Sequence, residues 1–261
     1  MRDVKRFVRF GTMAAIGGLG AVLMIGESGT SHAALIEAGK GPQVLIGSDD
    51  DNQANPAIQP AGVAANQSLN NTDVLEGGQG NDVLIGLLGS DVIEGGPGHD
   101  IIVGGPDPGA PNSDIMFGGP GDDVSLWAPG DGSEAFIGGP GVDALVFGVT
   151  DRTAGVPDLS GPQTGFPFGV PTANVSGQGG FCTVEAAPAA SGYDFLVRFF
   201  VRATGNLAVT VRTRDVEQVF CTSVAGGAIT FADLTQAVPA FAIVSTDEVN
   251  ALNATVGTMI R

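Results

Sequence analysis

The sequence predicts an all-β protein, a coil of short parallel strands followed by a small antiparallel β-sandwich-like domain. Three observations carry this. A nine-residue unit with Gly at its turns repeats from Gly77 to Val146. Beyond residue 180, apolar and polar side chains alternate with the period of two of half-buried strands. Gly is 42 of 261 residues without the every-third spacing of collagen, and an apolar content of 43% argues against disorder.

Charged residues are 15% of the chain, and the net charge is −17. That balance excludes nucleic acid and an anionic membrane surface as expected partners, because phosphate contacts need clustered Lys and Arg. Cation binding comes first among the remaining classes.

Residues 1–33 read as a secretory signal peptide. Arg2, Lys5, Arg6 and Arg9 precede an uncharged apolar run over 10–26, and Ser31-His32-Ala33 supplies the small residues of a cleavage site. A retained anchor is the rival, but 17 Gly-rich residues are at the short limit for a membrane span. With the signal removed, no membrane span is expected. Residues 34–150 then hold 17 acids against the single base Lys40, while 151–261 hold nine acids and six Arg. This asymmetry divides the mature chain into a repeat module, 34–150, and a β-rich module, 151–261, with a Pro/Gly-rich lead-in at 151–180. Export also bears on Cys182 and Cys221, the two cysteines of the chain. Outside the cytoplasm they are expected to pair, closing a loop whose constraint contributes about 4 kcal/mol on the chain-entropy model.

Three units follow one another without gaps: GGQGNDVLI (77–85), GLLGSDVIE (86–94) and GGPGHDIIV (95–103). GGPDPGAPNSDIMF (104–117) adds five loop residues, GGPGDDVSL (118–126) returns to register, WAPGDGSEAFI (127–137) adds two, and GGPGVDALV (138–146) closes the series. A weaker unit, SLNNTDVLE (68–76), precedes them, and Val44-Leu45-Ile46 reads as one earlier strand followed by the acidic run Asp49-Asp50-Asp51.

Each unit reads as a six-residue turn and a three-residue strand. Gly at positions 1, 2 and 4 permits backbone angles that a Cβ forbids. Position 6 is Asp73, Asp82, Asp91, Asp100, Asp114, Asp123 or Asp143, with Glu134 in the remaining unit. Position 8 is apolar (Leu75, Leu84, Ile93, Ile102, Met116, Phe136, Leu145) except for Ser125. The strand period points position 8 one way and positions 7 and 9 the other. Three residues cannot stand alone as a strand, whereas stacked units pair every strand and line up the position-8 side chains as a thin core. Those few side chains cannot offset the entropy of ordering the whole repeat, so something besides apolar burial must hold it.

These units resemble the GGxGxDxUx nonapeptide of RTX (hemolysin-type) calcium-binding repeats. The resemblance covers about 70–80 of the 261 residues. It implies a right-handed parallel β-roll with two nonads per turn, and Ca2+ between turns held by backbone carbonyls and the position-6 Asp. A nucleotide-binding reading of the Gly runs fails, because no helix follows any of them. Members commonly leave the cell by a C-terminal signal, so the N-terminal signal here departs from the pattern.

With two nonads per turn, alternate loops share an edge of the coil. GGQGND, GGPGHD, GGPGDD and GGPGVD are intact; GLLGSD, GGPDPGAPNSD and WAPGDGSE are degraded. The expectation is a row of about three Ca2+ ions in the gaps of the intact edge. The carboxylate ligands would be Asp82, Asp100, Asp123 and Asp143. The loop backbone would come from Gly77, Gly78 and Gly80, Gly95, Gly96 and Gly98, Gly118, Gly119 and Gly121, and Gly138, Gly139 and Gly141. Weaker positions are Asp73, Asp91, Asp114 and Glu134. An all-oxygen, flexible donor set suits Ca2+ rather than Mg2+; transition metals would want His or Cys, and the mature chain has one His, His99, expected to face solvent. Without metal, carboxylates ~5 Å apart repel by ~3 kcal/mol per pair at an effective dielectric of ~20. The module is therefore expected to fold with its calcium.

Positions 7 and 9 of alternate strands, Val83/Ile85, Ile101/Val103, Val124/Leu126 and Ala144/Val146, are all apolar, a face that needs a cover from the second module or a partner protein. In that module Tyr193 to Val201, a Thr204-Gly205-Asn206 turn and Leu207 to Val211 read as a hairpin. Further strands are expected near 181–186, 216–222, 228–231 and 240–245, and a short helix from Asp247. Arg198, Arg202, Arg212 and Arg214 share the polar face of the hairpin, as a solvated surface or an anion dock.

No HExxH or GxSxG motif and no Ser/His/Asp grouping is present, so an enzyme is not expected. The leading reading is a secreted calcium-binding protein with a structural or interaction role. The alternatives are a surface adhesin or matrix protein that binds protein or glycan through 151–261, and a hydrolase or lyase with an unfamiliar site in that module.

Overall fold

The computed structural model describes residues 22–23, 35–37, 44–46, 73–86, 90–105, 113–150, 152–153, 156–157, 172–245, 247–251 and 259–260. The first eleven strands are β1 (Val22–Leu23), β2 (Leu35–Glu37), β3 (Val44–Ile46), β4 (Val74–Glu76), β5 (Val83–Ile85), β6 (Val92–Glu94), β7 (Ile101–Val103), β8 (Ile115–Phe117), β9 (Val124–Trp127), β10 (Ala135–Ile137) and β11 (Ala144–Phe147). They alternate between two sheets. In one, β1-β3-β5-β7-β9-β11 lie side by side, and in the other β2-β4-β6-β8-β10, every neighbouring pair parallel. This is a parallel β-solenoid with two strands per turn, the architecture expected of the repeat. The strand at Val44–Ile46 pairs with β5, one turn earlier in the coil. The acidic run 49–51 lies outside the described residues. Val22–Leu23, inside the segment read as an export signal, pair with Val44–Leu45.

The position-8 side chains Leu75, Leu84, Ile93, Ile102, Met116, Phe136 and Leu145 are fully buried between the sheets. Ser125 is buried among them, and its hydroxyl donates to Met116 Sδ at 3.7 Å, which keeps the one polar position-8 group satisfied.

The remaining strands are β12 (Val149–Thr150), β13 (Arg152–Thr153), β14 (Val156–Pro157), β15 (Thr172–Asn174), β16 (Gly180–Ala186), β17 (Phe195–Val201), β18 (Leu207–Arg214), β19 (Gln218–Thr222), β20 (Ile229–Asp233), β21 (Ala242–Ile243) and β22 (Met259–Ile260). Residues 247–251 are helical. β16, β17 and β18 form an antiparallel meander, with Gly205 turning the chain at φ +70°. β19 and β20 form a hairpin to which β21 adds.

These strands build onto the roll. β18 pairs parallel with β10 and β19 parallel with β11, so both sheets run through: nine strands, β1-β3-β5-β7-β9-β11-β19-β20-β21, and eight, β16-β17-β18-β10-β8-β6-β4-β2. The pair β18–β19 is one more turn of the coil. The core is continuous too. Trp127 and Phe147 of the roll contact Phe199 of β17 at ring-centroid distances of 5.0 and 5.8 Å. The Cys182–Cys221 disulfide joins β16 of one sheet to β19 of the other.

The apolar outer face of the nine-stranded sheet is covered. Val83, Ile85, Ile101, Val103, Val124, Leu126, Ala144 and Val146 are all fully buried, in one cluster with Ala173, Val175, Phe220 and Val249. Phe220 of β19 extends this face beside Val146, and the cover comes from Ala173 on β15, Val175 just after it and Val249 on the helical stretch.

Candidate functional site: the carboxylate ladder

The loops joining the eight-stranded to the nine-stranded sheet stack along one edge of the coil, and they are the intact ones. Position 2 (Gly78, Gly96, Gly119, Gly139) has φ between +84° and +113°, which an L side chain rarely adopts. At position 4 a Cβ on Gly98 would overlap the Gly80 carbonyl oxygen of the preceding turn, so the stacking itself excludes a side chain. Loop backbones bond turn to turn. Gly96 donates to the Gly118 carbonyl at 2.9 Å and Gly98 to that of Pro120 at 2.9 Å; Gly119 and Gly121 repeat this towards Gly138 and Pro140.

The position-6 aspartates stack beneath these loops as a ladder. The amide of Asp82 donates to Asp100 Oδ1 at 2.7 Å, that of Asp100 to Asp123 Oδ1 at 2.7 Å, and that of Asp123 to Asp143 Oδ1 at 2.8 Å. All four side chains are fully buried. One oxygen of each acceptor carboxylate is thereby engaged. The other, Oδ2 of Asp100, Asp123 and Asp143, is buried with no hydrogen-bond partner. Each faces the position-1 glycine of its own loop. A Cβ on Gly95 would overlap Asp100 Oδ2 and approach the Gly118 carbonyl oxygen to 2.7 Å; a Cβ on Gly118 would do the same to Asp123 Oδ2 and the Gly138 oxygen. A carboxylate oxygen and a carbonyl oxygen from the next turn therefore face the same Cβ-free space.

Burial pushes the Asp100 carboxyl up to about 9, opposed by the amide hydrogen bond from Asp82 and reinforced by the charges of Asp123 and Asp82. Burial likewise raises Asp123 to about 7 and Asp143 to about 8. Three stacked carboxyls that resist ionisation need protons or cations, and their donor set is all oxygen, which fits Ca2+. Among the described residues no three His, Cys, Asp or Glu side chains converge on one point. A cation here would take one carboxylate per turn, with backbone carbonyls supplying the rest.

A second, outer ladder runs through position 5. Asn81 Oδ1 accepts the His99 amide at 3.0 Å, His99 Nδ1 accepts the Asp122 amide at 2.8 Å, and Asp122 Oδ1 accepts the Val142 amide at 2.9 Å. His99 is thus occupied as a structural acceptor through Nδ1.

The opposite edge keeps part of the arrangement. Asp73 donates to Asp91 Oδ1 and Asp91 to Asp114 Oδ1, each at 2.8 Å, and all three are buried. Oδ2 of Asp91 faces Gly86, and Oδ2 of Asp114 faces Gly104 beside Glu134 Oε1. Residues 87–89 and the insertion 106–112 lie outside the described residues. In the third degraded loop Trp127 replaces the position-1 Gly, and Asp131 Oδ2 closes the loop on the Ala128 amide at 2.7 Å.

The sequence reading missed one rung. The amide of Asp143 donates to Glu217 Oε2 at 2.7 Å, and Gly138 and Gly139 donate to the carbonyls of Arg214 and Asp215. A three-residue turn, Asp215–Glu217, stands where a six-residue loop stands elsewhere, with Asp215 at φ +51°. The signal is present but lacks glycine: Glu217-Gln218-Val219-Phe220 repeats the acid–x–apolar–x end of the nonad, and Val219 is fully buried at the position-8 register of Leu145.

Of the four hairpin arginines, Arg198 pairs with Glu185 at 2.6 Å, and the Arg202 guanidinium donates to the carbonyls of Gln178, Gly180, Ser223 and Val224. Arg202 ties strands together rather than presenting a free cation. No helix among the described residues is long and apolar enough to cross a membrane.

The family model of the RTX calcium-binding nonapeptide repeat matches in four copies over residues 70–107 and 109–124. No curated protein and no solved structure matches the chain. The matched segment, which carries Asp82, Asp100 and Asp123 of the ladder, is made of RTX calcium-binding nonapeptide repeats.

Proposed function

We propose that the chain is an exported protein whose roll sets on Ca2+ outside the cell and serves a structural or interaction role rather than a catalytic one. The observation that supports it is the row of buried Oδ2 atoms of Asp100, Asp123 and Asp143, each without a hydrogen-bond partner. On this reading about three ions occupy the gaps between the loops beginning at Gly77, Gly95, Gly118 and Gly138. Asp82, Asp100 and Asp123 supply carboxylate oxygens to these gaps and the loop glycines carbonyl oxygens, and Asp143 ends the row. Asp91 and Asp114 hold weaker sites on the opposite edge. Low cytosolic calcium leaves the acidic roll loose for export, and removal of residues 1–33 takes β1 with it.

The test is far-UV circular dichroism of the mature chain in chelator and then in millimolar Ca2+. A gain of β signal with Ca2+ is expected; an unchanged spectrum refutes the proposal. N-terminal sequencing of the exported protein should begin at Ala34.

A further inference from the structure

Along the intact edge, Oδ2 of each aspartate faces the gap towards the next turn, not the previous one. At Gly77 the neighbours are Asp82 Oδ2 and the Gly95 carbonyl, at Gly95 they are Asp100 Oδ2 and the Gly118 carbonyl, and at Gly118 they are Asp123 Oδ2 and the Gly138 carbonyl. The three gaps between the four glycine loops thus use Asp82, Asp100 and Asp123. Asp143 is left over, and its Oδ2 is fully buried and without a hydrogen-bond partner.

That oxygen meets the same surroundings as the other three. A Cβ on Gly138 would overlap both Asp143 Oδ2 and the carbonyl oxygen of Asp215. The Asp215 carbonyl accepts the Gly139 amide at 3.1 Å, as the Gly138 carbonyl accepts that of Gly119 at 2.8 Å. The Glu217 carboxylate takes the Asp143 amide at 2.7 Å, as Asp143 takes that of Asp123. The Asp215–Glu217 turn therefore presents a carbonyl and a carboxylate at the places of a repeat loop's first and sixth residues, although its sequence carries no glycine.

We infer that the gap between the Gly138–Asp143 loop and the Asp215–Glu217 turn is a fourth divalent-cation site on this edge, with Asp143 Oδ2, the Asp215 carbonyl and the Glu217 carboxylate among its ligands. The inference rests on the calcium reading above and extends it past the repeat. A six-residue loop offers carbonyls that a three-residue turn lacks, so water completes the shell and this site fills last as Ca2+ rises. It also couples the ion row to the β18–β19 turn and, through Cys221, to the disulfide.

Ion counting by native mass spectrometry across a Ca2+ titration of the full mature chain tests this. Glu217→Gln keeps an acceptor for the Asp143 amide and removes the charge. It should bind one ion fewer than wild type, or bind its last ion at least tenfold more weakly, with the earlier steps unchanged. Asp143→Asn should lose the same ion, and the double variant no further one. Asp215→Asn, which keeps the carbonyl, should match wild type. Equal counts and affinities in wild type, Glu217→Gln and Asp143→Asn would overturn the fourth site while leaving the calcium reading intact. A wild-type chain that takes up no Ca2+ would overturn both. Should Glu217→Gln fail to fold, Asp143→Asn alone decides.

Discussion

The backbone amide of Asp100 donates to Oδ1 of Asp123 at 2.7 Å, and the second oxygen of that Asp123 carboxylate is buried beside Gly118 with no hydrogen-bond partner. One half of the side chain belongs to the fold and the other half is available to a ligand. This division recurs at Asp143.

Asp123→Asn separates the two halves. The Asn carbonyl still accepts the Asp100 amide, so the metal-free protein should be at least as stable as wild type at pH 8, with a melting temperature higher by a few degrees once the buried charge is gone. If Asp123 is a Ca2+ ligand as proposed, the order reverses in saturating Ca2+, and the Ca2+-induced rise in melting temperature should shrink. Calorimetry with chelator and with Ca2+ reads both; a variant destabilised equally in the two conditions would show a packing role alone.

The raised carboxyls set the pH dependence. Burial pushes Asp100, Asp123 and Asp143 up to about 9, 7 and 8 in the folded state, against 3.8 ordinarily. Between about pH 4 and pH 9 the metal-free folded chain then binds more protons than the unfolded chain, so its stability falls as pH rises through that window. Ca2+ competes with those protons, and its affinity should rise with pH over the same range, with proton release on binding. Thermal melts in chelator at pH 5, 7 and 9 should descend in that order, and Asp100→Asn should flatten the descent. A metal-free chain with a pH-independent melting temperature would contradict the burial of these groups.

Gly98→Ala should abolish the roll. Its Cβ would overlap the Gly80 carbonyl, a backbone atom with no room to give, and the cost is expected at about 3 kcal/mol or more. Gly179→Ala, where nothing lies within 4 Å of the added methyl, should stay within about 0.5 kcal/mol of wild type. Chemical denaturation in Ca2+ compares the two.

Breaking the disulfide should loosen the far end of the roll as well as the strands it joins. Cys182 and Cys221 are 39 residues apart and bridge the two sheets. Cys182→Ala with Cys221→Ala is expected to cost about 3–4 kcal/mol on the chain-entropy model. Because β19 supplies the last turn, Ca2+ affinity should fall as well; an unchanged affinity would show that the cap and the ion row act independently.

Much of this was legible in the residues because a nonad is a local object. Gly at fixed positions specifies the turn, an apolar residue two places after the acid specifies which way the strand faces, and identical neighbours can only stack. The strands near 181–186, 216–222 and 228–231 were legible for a similar reason, since a period of two marks a half-buried strand wherever it lies. The cover over Val83 to Val146 was legible as a need, because eight outward apolar side chains cannot face water, though the residues that meet it, such as Ala173 and Val175, carry no mark of that task.

The last turn was not legible. Residues 148–206 intervene between β11 and β18, and Asp215–Glu217 makes its turn without glycine, so neither spacing nor composition links Glu217 to Asp143. Periodicity by itself determined the coil, its buried apolar row and the acids that line its loops, because those depend on contacts between adjacent units. Only the tertiary structure decided where the coil ends and what closes it, because strand pairing between distant segments is settled by backbone hydrogen bonds and burial, to which any sequence of suitable shape can contribute.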